Sequence, residues 1–211
     1  LEYKSGAIDI ADPFDSDPVW AINTTITTGV CANIAPNFGF SNTNHAGGSI
    51  GEMGGIVQRS EKGEFYGKDV NDNMSSTLSA SGRVRLKNST RIEGSNVGVF
   101  FGWFNSEKQG WRPVNSLTFE IIDDHPSGGT IQVHTVNKNG TTFGIDTGIN
   151  ITTGESYDWN LTYDANANNG NGSLYFRIGG EPRTANLPLG FKLEGADFNR
   201  FGLFNIGTTG G

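Results

Sequence analysis

The chain has 211 residues, with 15 Lys or Arg against 22 Asp or Glu and a formal net charge of −7. An acidic chain without a basic run has no electrostatic footprint for nucleic acid, and no stretch approaches the ~18 consecutive apolar residues of a membrane-spanning helix. Glycine is the residue in excess, at 31 positions, roughly twice the usual share; with the abundant Asn it supplies the positive-φ corners that hairpins need, so the composition is that of many short strands joined by turns.

The first eighteen residues read as an irregular segment ahead of the strands. Within them ADPFDSDP sets Asp12, Asp15 and Asp17 close together, the best-charged candidate for a bound cation. Starting at Leu1 without a methionine, the chain reads as a processed or excised piece. Cys31 is the lone cysteine, so no internal disulfide forms, and with no His or Lys beside it the thiol reads as buried rather than reactive.

The stretch SNTNHAGGSIGEMGGIVQRSEKG, residues 41–63, is glycine-rich and carries His45, Glu52, Gln58 and Arg59. Glycines let a backbone approach a ligand or bulge. On that reading Glu52 offers an unobstructed carboxylate to a hydroxylated ligand, and a bulge at Gly54-Gly55 brings Arg59 to the same side. The competing reading is an ion pair between Glu52 and Arg59. His45 is a further candidate in the loop, although its setting is that of a solvated turn.

Strand periodicity follows. SGRVRLK sets Val84 and Leu86 against Arg83 and Arg85. In VGVFFGWFN, Val97, Val99, Phe101 and Trp103 share one face while Phe100 and Phe104 share the other, as in a central strand covered on both sides. Its parity places Trp103 in the core. Trp111 follows a turn, SEKQG, and stands as the better binding platform, with Arg112 and Asn115 beside it. NSLTFEIID alternates Leu117, Phe119 and Ile121 with Thr118 and Glu120. TIQVHTV alternates Ile131 and Val133 with Gln132 and His134, whose face reads as the exposed polar side of the strand.

SYDWNLTYD keeps Tyr157, Trp159, Leu161 and Tyr163 on one face without a slip, and GSLYFRIGG does the same with Leu174, Phe176 and Ile178. Between them DANANNGNG imitates the start of a calcium loop but holds one carboxylate and reads as a hairpin tip. The pattern amounts to about eleven or twelve strands and no helical stripe. It predicts one all-β domain, an antiparallel two-sheet β-sandwich.

YDWNLTYDANANNGNGSLYFRIGG followed by FNRFGLFNIGTTGG resembles the concanavalin A-like lectin/glucanase superfamily in its bacterial secreted branches, from about Ser41 onward. That resemblance implies a jelly roll, a secreted or cell-surface location, and polysaccharide or oligosaccharide partners. It leaves the activity open, because the fold hosts lectins, binding modules, hydrolases and lyases. Jelly-roll binding modules of this kind hold structural calcium near the chain ends, which makes Asp12, Asp15 and Asp17 the candidate ligands.

Two catalytic readings follow from the resemblance. The glucanase pattern of two glutamates flanking an aspartate is not met: in FEIIDDHP, Glu120 and Asp123 have opposite parity and no second glutamate follows. Jelly-roll alginate lyases carry Arg-Ser/Thr-Glu-Leu/Val-Arg, then Gln-Ile/Val-His, then Tyr-Phe-Lys-x-Gly-x-Tyr. Here Arg59-Ser60-Glu61, Gln132-Val133-His134 and Tyr175-Phe176-Arg177-Ile178-Gly179 occur in that order. Arg and Gln would then neutralise a uronate carboxylate, His134 would take the proton, and Tyr175 would protonate the leaving oxygen. Lys62-Gly63 and Glu181 depart from the pattern. The leading expectation is a non-catalytic carbohydrate-binding module associated with polysaccharide degradation. An enzyme of the same fold and a structural or adhesive surface module are the alternatives.

Overall fold

The computed structural model describes residues 1–5, 8–23, 35–88, 98–108, 111–125 and 127–206. Cys31, Val97 and the glycine-rich residues 207–211 lie outside them. The described elements are β1 (Glu2–Ser5), β2 (Ile8–Ala11), β3 (Ala21–Asn23), β4 (Asn37–Ser41), β5 (Glu52–Ile56), β6 (Phe65–Asn73), β7 (Leu78–Arg85) and β8 (Gly98–Phe104), then β9 (Ser116–His125), β10 (Gly128–Val136), β11 (Thr142–Thr152), β12 (Ser156–Asp164), β13 (Ser173–Ile178), β14 (Glu181–Asn186), a single helical turn α1 (Phe191–Glu194) and β15 (Asp197–Asn205). The N-terminal residues are therefore not irregular throughout. β1 and β2 form an antiparallel pair, and β1 also pairs with β7.

Two main sheets form, with orders β14-β13-β12-β7-β1-β2 and β11-β10-β9-β8-β15-β6-β3, and β4-β5 is a separate hairpin. Every pairing is antiparallel. The chain passes from one sheet to the other between β2 and β3, at both ends of β7, between β11 and β12, and between β14 and β15. This is an antiparallel two-sheet β-sandwich.

Alternation decides which side chains fill the space between the sheets. Leu78, Ala80, Trp159, Leu161, Tyr163, Leu174 and Phe176 come from the six-stranded sheet. They meet Phe101, Trp103, Leu117, Phe119, Ile131, Val133 and Phe201 of the seven-stranded sheet in one buried cluster. Ring pairs tie the layers, with Phe101 to Trp159 at 5.1 Å and Phe119 to Phe176 at 5.3 Å between centroids. Such edge-on and tilted contacts add to the area buried.

The seven-stranded sheet is also covered on its outer side over β8 and β15, which positions the site described below. Phe100 and Phe104 of β8, Phe204 of β15 and Ile206 form a second cluster with Phe65 packed against it. Phe104 and Phe204 lie 4.4 Å apart and Phe100 and Phe204 stack at 4.9 Å. The apolar double face of β8 thus has the two covers that its sequence requires.

Candidate ligand site on the outer face of the seven-stranded sheet

β9 and β10 are neighbours in register, with Gln132 opposite Glu120 and His134 opposite Thr118. Because Phe119 and Val133 point into the core, Glu120, Gln132 and His134 share the outer face. Glu120 and His134 are both buried, and His134 Nε2 lies 2.9 Å from Glu120 Oε2. Two glycines make room for the pair. Gly98 is next to Glu120 on β8, and a Cβ built there would sit 2.3 Å from Glu120 Oε1. Gly144 of β11 pairs with His134, and its Cβ would lie 3.0 Å from His134 Nδ1. That Nδ1 is buried with no hydrogen-bond partner. The exposed polar strand face expected from TIQVHTV is corrected at His134, because alternation tells which side a residue faces and not whether that side is covered.

Two loops bring the remaining groups. The segment after β5 is held along the end of β15, where Asn205 Nδ2 donates to the Gln58 carbonyl and to Ser60 Oγ, and Ser60 N donates to the Ile206 carbonyl. Arg59, fixed between these anchors, sets its guanidinium 5.1 Å from the centroid of the Trp111 ring. In the loop from β8 to β9, Arg112 Nη2 donates to Gln132 Oε1 at 3.2 Å. Asn115 ends that loop at φ 58, a left-handed position that Asn tolerates better than most residues. It is buried, so it shapes the turn and is not an exposed ligand group.

Trp111 stands apart from the other tryptophans. Trp20, Trp103 and Trp159 are 8%, 0% and 4% exposed, whereas Trp111 is 39% exposed. A large exposed indole with a guanidinium over it presents an apolar plate with a polar edge. Strand parity placed Trp103 in the core, where it is fully buried. Gly98 and Gly144, which frame the buried pair, went unnoticed; their sequence signal is a glycine in each strand that borders the Glu120–His134 face.

The other candidates are elsewhere. Glu52 does not pair with Arg59 among the described residues. Its Oε1 accepts from Thr43 Oγ1 and, at 3.0 Å, from the His45 amide, while Oε2 accepts from the Ala46 amide at 2.9 Å. Burial by itself would raise its pKa, but the Ala46 amide, the Thr43 hydroxyl and the His45 amide outweigh burial and hold the carboxyl below its ordinary value. Glu52 is therefore consumed in closing its own loop, which corrects both expectations for it. His45 is exposed at that loop's tip, with Nε2 3.2 Å from Lys87 Nζ and its carbonyl accepting from Arg85. Tyr175 is corrected as well. It lies on β13, in the six-stranded sheet, facing away from the core that Leu174 and Phe176 fill. It belongs to the sheet opposite the one that carries His134.

Asp12 and Asp17 close short turns, accepting from the amides of Phe14 and Val19, and Asp17 also accepts from the Tyr66 hydroxyl at 3.3 Å. Burial first and the charge of Asp17 second push the Tyr66 hydroxyl up to about 12. Asp15 is exposed. Among the described residues, no three His, Cys, Asp or Glu side chains gather as metal ligands. A recess of about 610 Å³ lies beside these turns, lined by Asp12, Pro18, Val19, Trp20, Ala21, Lys68 and Asp69, and includes none of the groups around Trp111.

No family model matches the sequence, and no curated protein matches it. Among solved structures the chain is similar to the Emp47p carbohydrate recognition domain, with 12% identity and a TM-score of 0.45 over 92% of this chain and 91% of that one. It is similar also to an alginate lyase from Pseudomonas aeruginosa, with 15% identity and a TM-score of 0.44 over 82% of this chain and 78% of that one. These are likenesses of overall shape, and no residue role is carried across from them.

Proposed function

We propose that this chain is a carbohydrate-binding jelly-roll domain of a polysaccharide-handling protein that works outside the cell, with the Trp111 surface as its binding platform. The observation that carries the reading is the single exposed indole, with the Arg59 guanidinium 5.1 Å from its centroid. Pyranose rings present apolar C–H faces edged with hydroxyls. An aromatic plate with planar donors and amide groups at its rim matches that pattern. The extracellular setting follows from the sequence resemblance alone.

The test is a glycan array followed by calorimetry on the best ligand, with wild type and Trp111→Ala. Loss of the side chain weakens binding at least tenfold, equivalent to about 1.4 kcal/mol, and leaves the melting temperature nearly unchanged. A variant that unfolds would mark Trp111 as a packing residue and remove the platform.

The lyase reading has a specific observation behind it, since Arg112 donates to Gln132, which shares the outer face with His134. Two others count against it. His134 is 4% exposed and faces Glu120, and Tyr175 is on the other sheet. A proton acceptor must reach the proton it removes. Incubation with uronate polymers is expected to give no rise in the absorbance of unsaturated ends.

A further inference from the structure

We propose that Asn139 is a covalent modification site, deamidating through a succinimide ahead of the other Asn-Gly steps, and that its isoaspartate product loosens the turn between β10 and β11. The chain holds such steps at Asn139-Gly140, Asn169-Gly170 and Asn171-Gly172. At each, the glycine amide nitrogen is placed in sequence to attack the asparagine side-chain carbonyl carbon. A new C–N bond closes a five-membered ring, the bond to the side-chain nitrogen breaks, and ammonia leaves with the amide proton. Water then opens the ring at either carbonyl and gives aspartate or isoaspartate. Glycine allows the approach because it has no Cβ in the way and a permissive backbone.

The fold separates the three steps. Gly172 is buried, its amide donates to the Ala167 carbonyl at 3.0 Å, and Asn171 Nδ2 donates to the Asn168 carbonyl at 2.9 Å. Asn169 is exposed, but the Gly170 amide is shared between the Asn166 and Ala167 carbonyls at 3.3 and 3.0 Å. Lys192 Nζ also holds the Gly170 and Ala165 carbonyls, at 3.2 and 2.7 Å. The nitrogen that must move is thus braced on both sides of its residue. Asn139, Gly140 and Thr141 are all exposed, and the Asn139 side chain makes no hydrogen bond among the described residues. The Gly140 amide has one acceptor, the Asn137 carbonyl at 3.1 Å. Water replaces an exposed bond of that kind at small net cost, so a local opening frees the nitrogen. The consequence follows from what closes the turn. Asn137 is fully buried, and its Oδ1 accepts from the Asn139 and Thr141 amides at 3.0 and 2.9 Å. Isoaspartate routes the main chain through the side-chain methylene, adding one atom between two amides that meet on one oxygen. A Cβ built on Gly140 would lie 3.6 Å from Val114 Cγ1, so the turn rests against the β8–β9 loop.

The test ages the folded protein in mildly alkaline buffer and follows each step by peptide mapping with mass spectrometry. The amide-to-acid mass shift is expected several-fold faster at Asn139 than at Asn169 or Asn171, with isoaspartate among the products. In the urea-unfolded chain the three steps are expected to react at similar rates, because nothing then braces the glycine amides. A folded protein in which Asn169 or Asn171 reacts first, or an order that is unchanged by unfolding, overturns the inference. The isoaspartate form, separated by ion exchange, is expected to exchange the Thr141 and Val114 amides faster than unmodified protein. Asn139→Asp adds the same charge without the extra backbone atom and is expected to exchange both at the wild-type rate. Equal exchange in the isoaspartate form overturns the loosening, as does equal acceleration in Asn139→Asp, which would assign the effect to charge. None of these readouts depends on sugar binding, so the carbohydrate reading stands or falls separately.

Discussion

Replacing His134 by leucine isolates what holds the outer face of the seven-stranded sheet together. The side chains of His134 and Glu120 are 6% and 3% exposed and meet at 2.9 Å. His134→Leu leaves the Glu120 carboxyl in a buried site with its partner gone, between the space over Gly98 and the neighbouring Phe100. Breaking such a pair from one side costs about 3–5 kcal/mol. For a domain of this size each kcal/mol moves the melting temperature by roughly 2–4 °C, so the expected fall is about 6–20 °C. Glu120→Leu combined with His134→Leu removes both polar groups. The double variant is expected to recover most of the loss, because a buried pair replaced by apolar groups is often neutral or stabilising. Urea unfolding of wild type, both single variants and the double variant closes the cycle. A single His134→Leu loss below about 1 kcal/mol, in the range of an exposed pair, would refute the reasoning, since it would mean that the carboxyl finds water or another donor without disturbing the sheet.

Gly98→Ala tests the same geometry from the adjacent strand. Its Cβ would fall 2.3 Å from Glu120 Oε1 and 3.1 Å from Ile206 Cδ1, so urea unfolding is expected to show a loss of about 1–3 kcal/mol from overpacking, and Glu120→Leu in the same chain should change that loss. Glu52→Gln tests the loop closure. The folded carboxyl lies below its ordinary value, so its contribution is fully present above about pH 4.3 and is lost as pH falls through the depressed folded value. Stability of wild type should therefore fall more steeply than that of Glu52→Gln below that pH, as read by denaturant midpoints. Asp72 accepts from Tyr3 and Ser5, and Asp72→Ala is expected to speed amide exchange along β1 with little effect on β10.

The sandwich was legible because buried strands write their own faces. Trp159, Leu161 and Tyr163, or Leu117, Phe119 and Ile121, show the layer they line by spacing alone. β8 disclosed even its second cover, since Phe100 and Phe104 fall out of phase with Phe101 and Trp103. The N-terminal pairing of β1 with β7 was missed, because four-residue strands carry too few alternations to be told from loop. Glu52 was misjudged for a related reason. Flanking glycines were read as access for a ligand, but the same open backbone lets the loop's own amides turn onto the carboxylate first.

The lyase-like order of motifs shows why sequence order underdetermines a jelly-roll site. Gln132-Val133-His134 and Tyr175-Phe176-Arg177 are about forty residues apart, and the chain changes sheets between β11 and β12. A side chain's parity is legible within a strand. Its side of the molecule depends on how many sheet crossings precede it. Arg59 comes to the Trp111 ring, and Arg112 to Gln132, by routes that strand parity does not encode, through a segment anchored by Asn205 and a loop tied to Gln132. Both are half-buried, and neither makes an ion pair among the described residues.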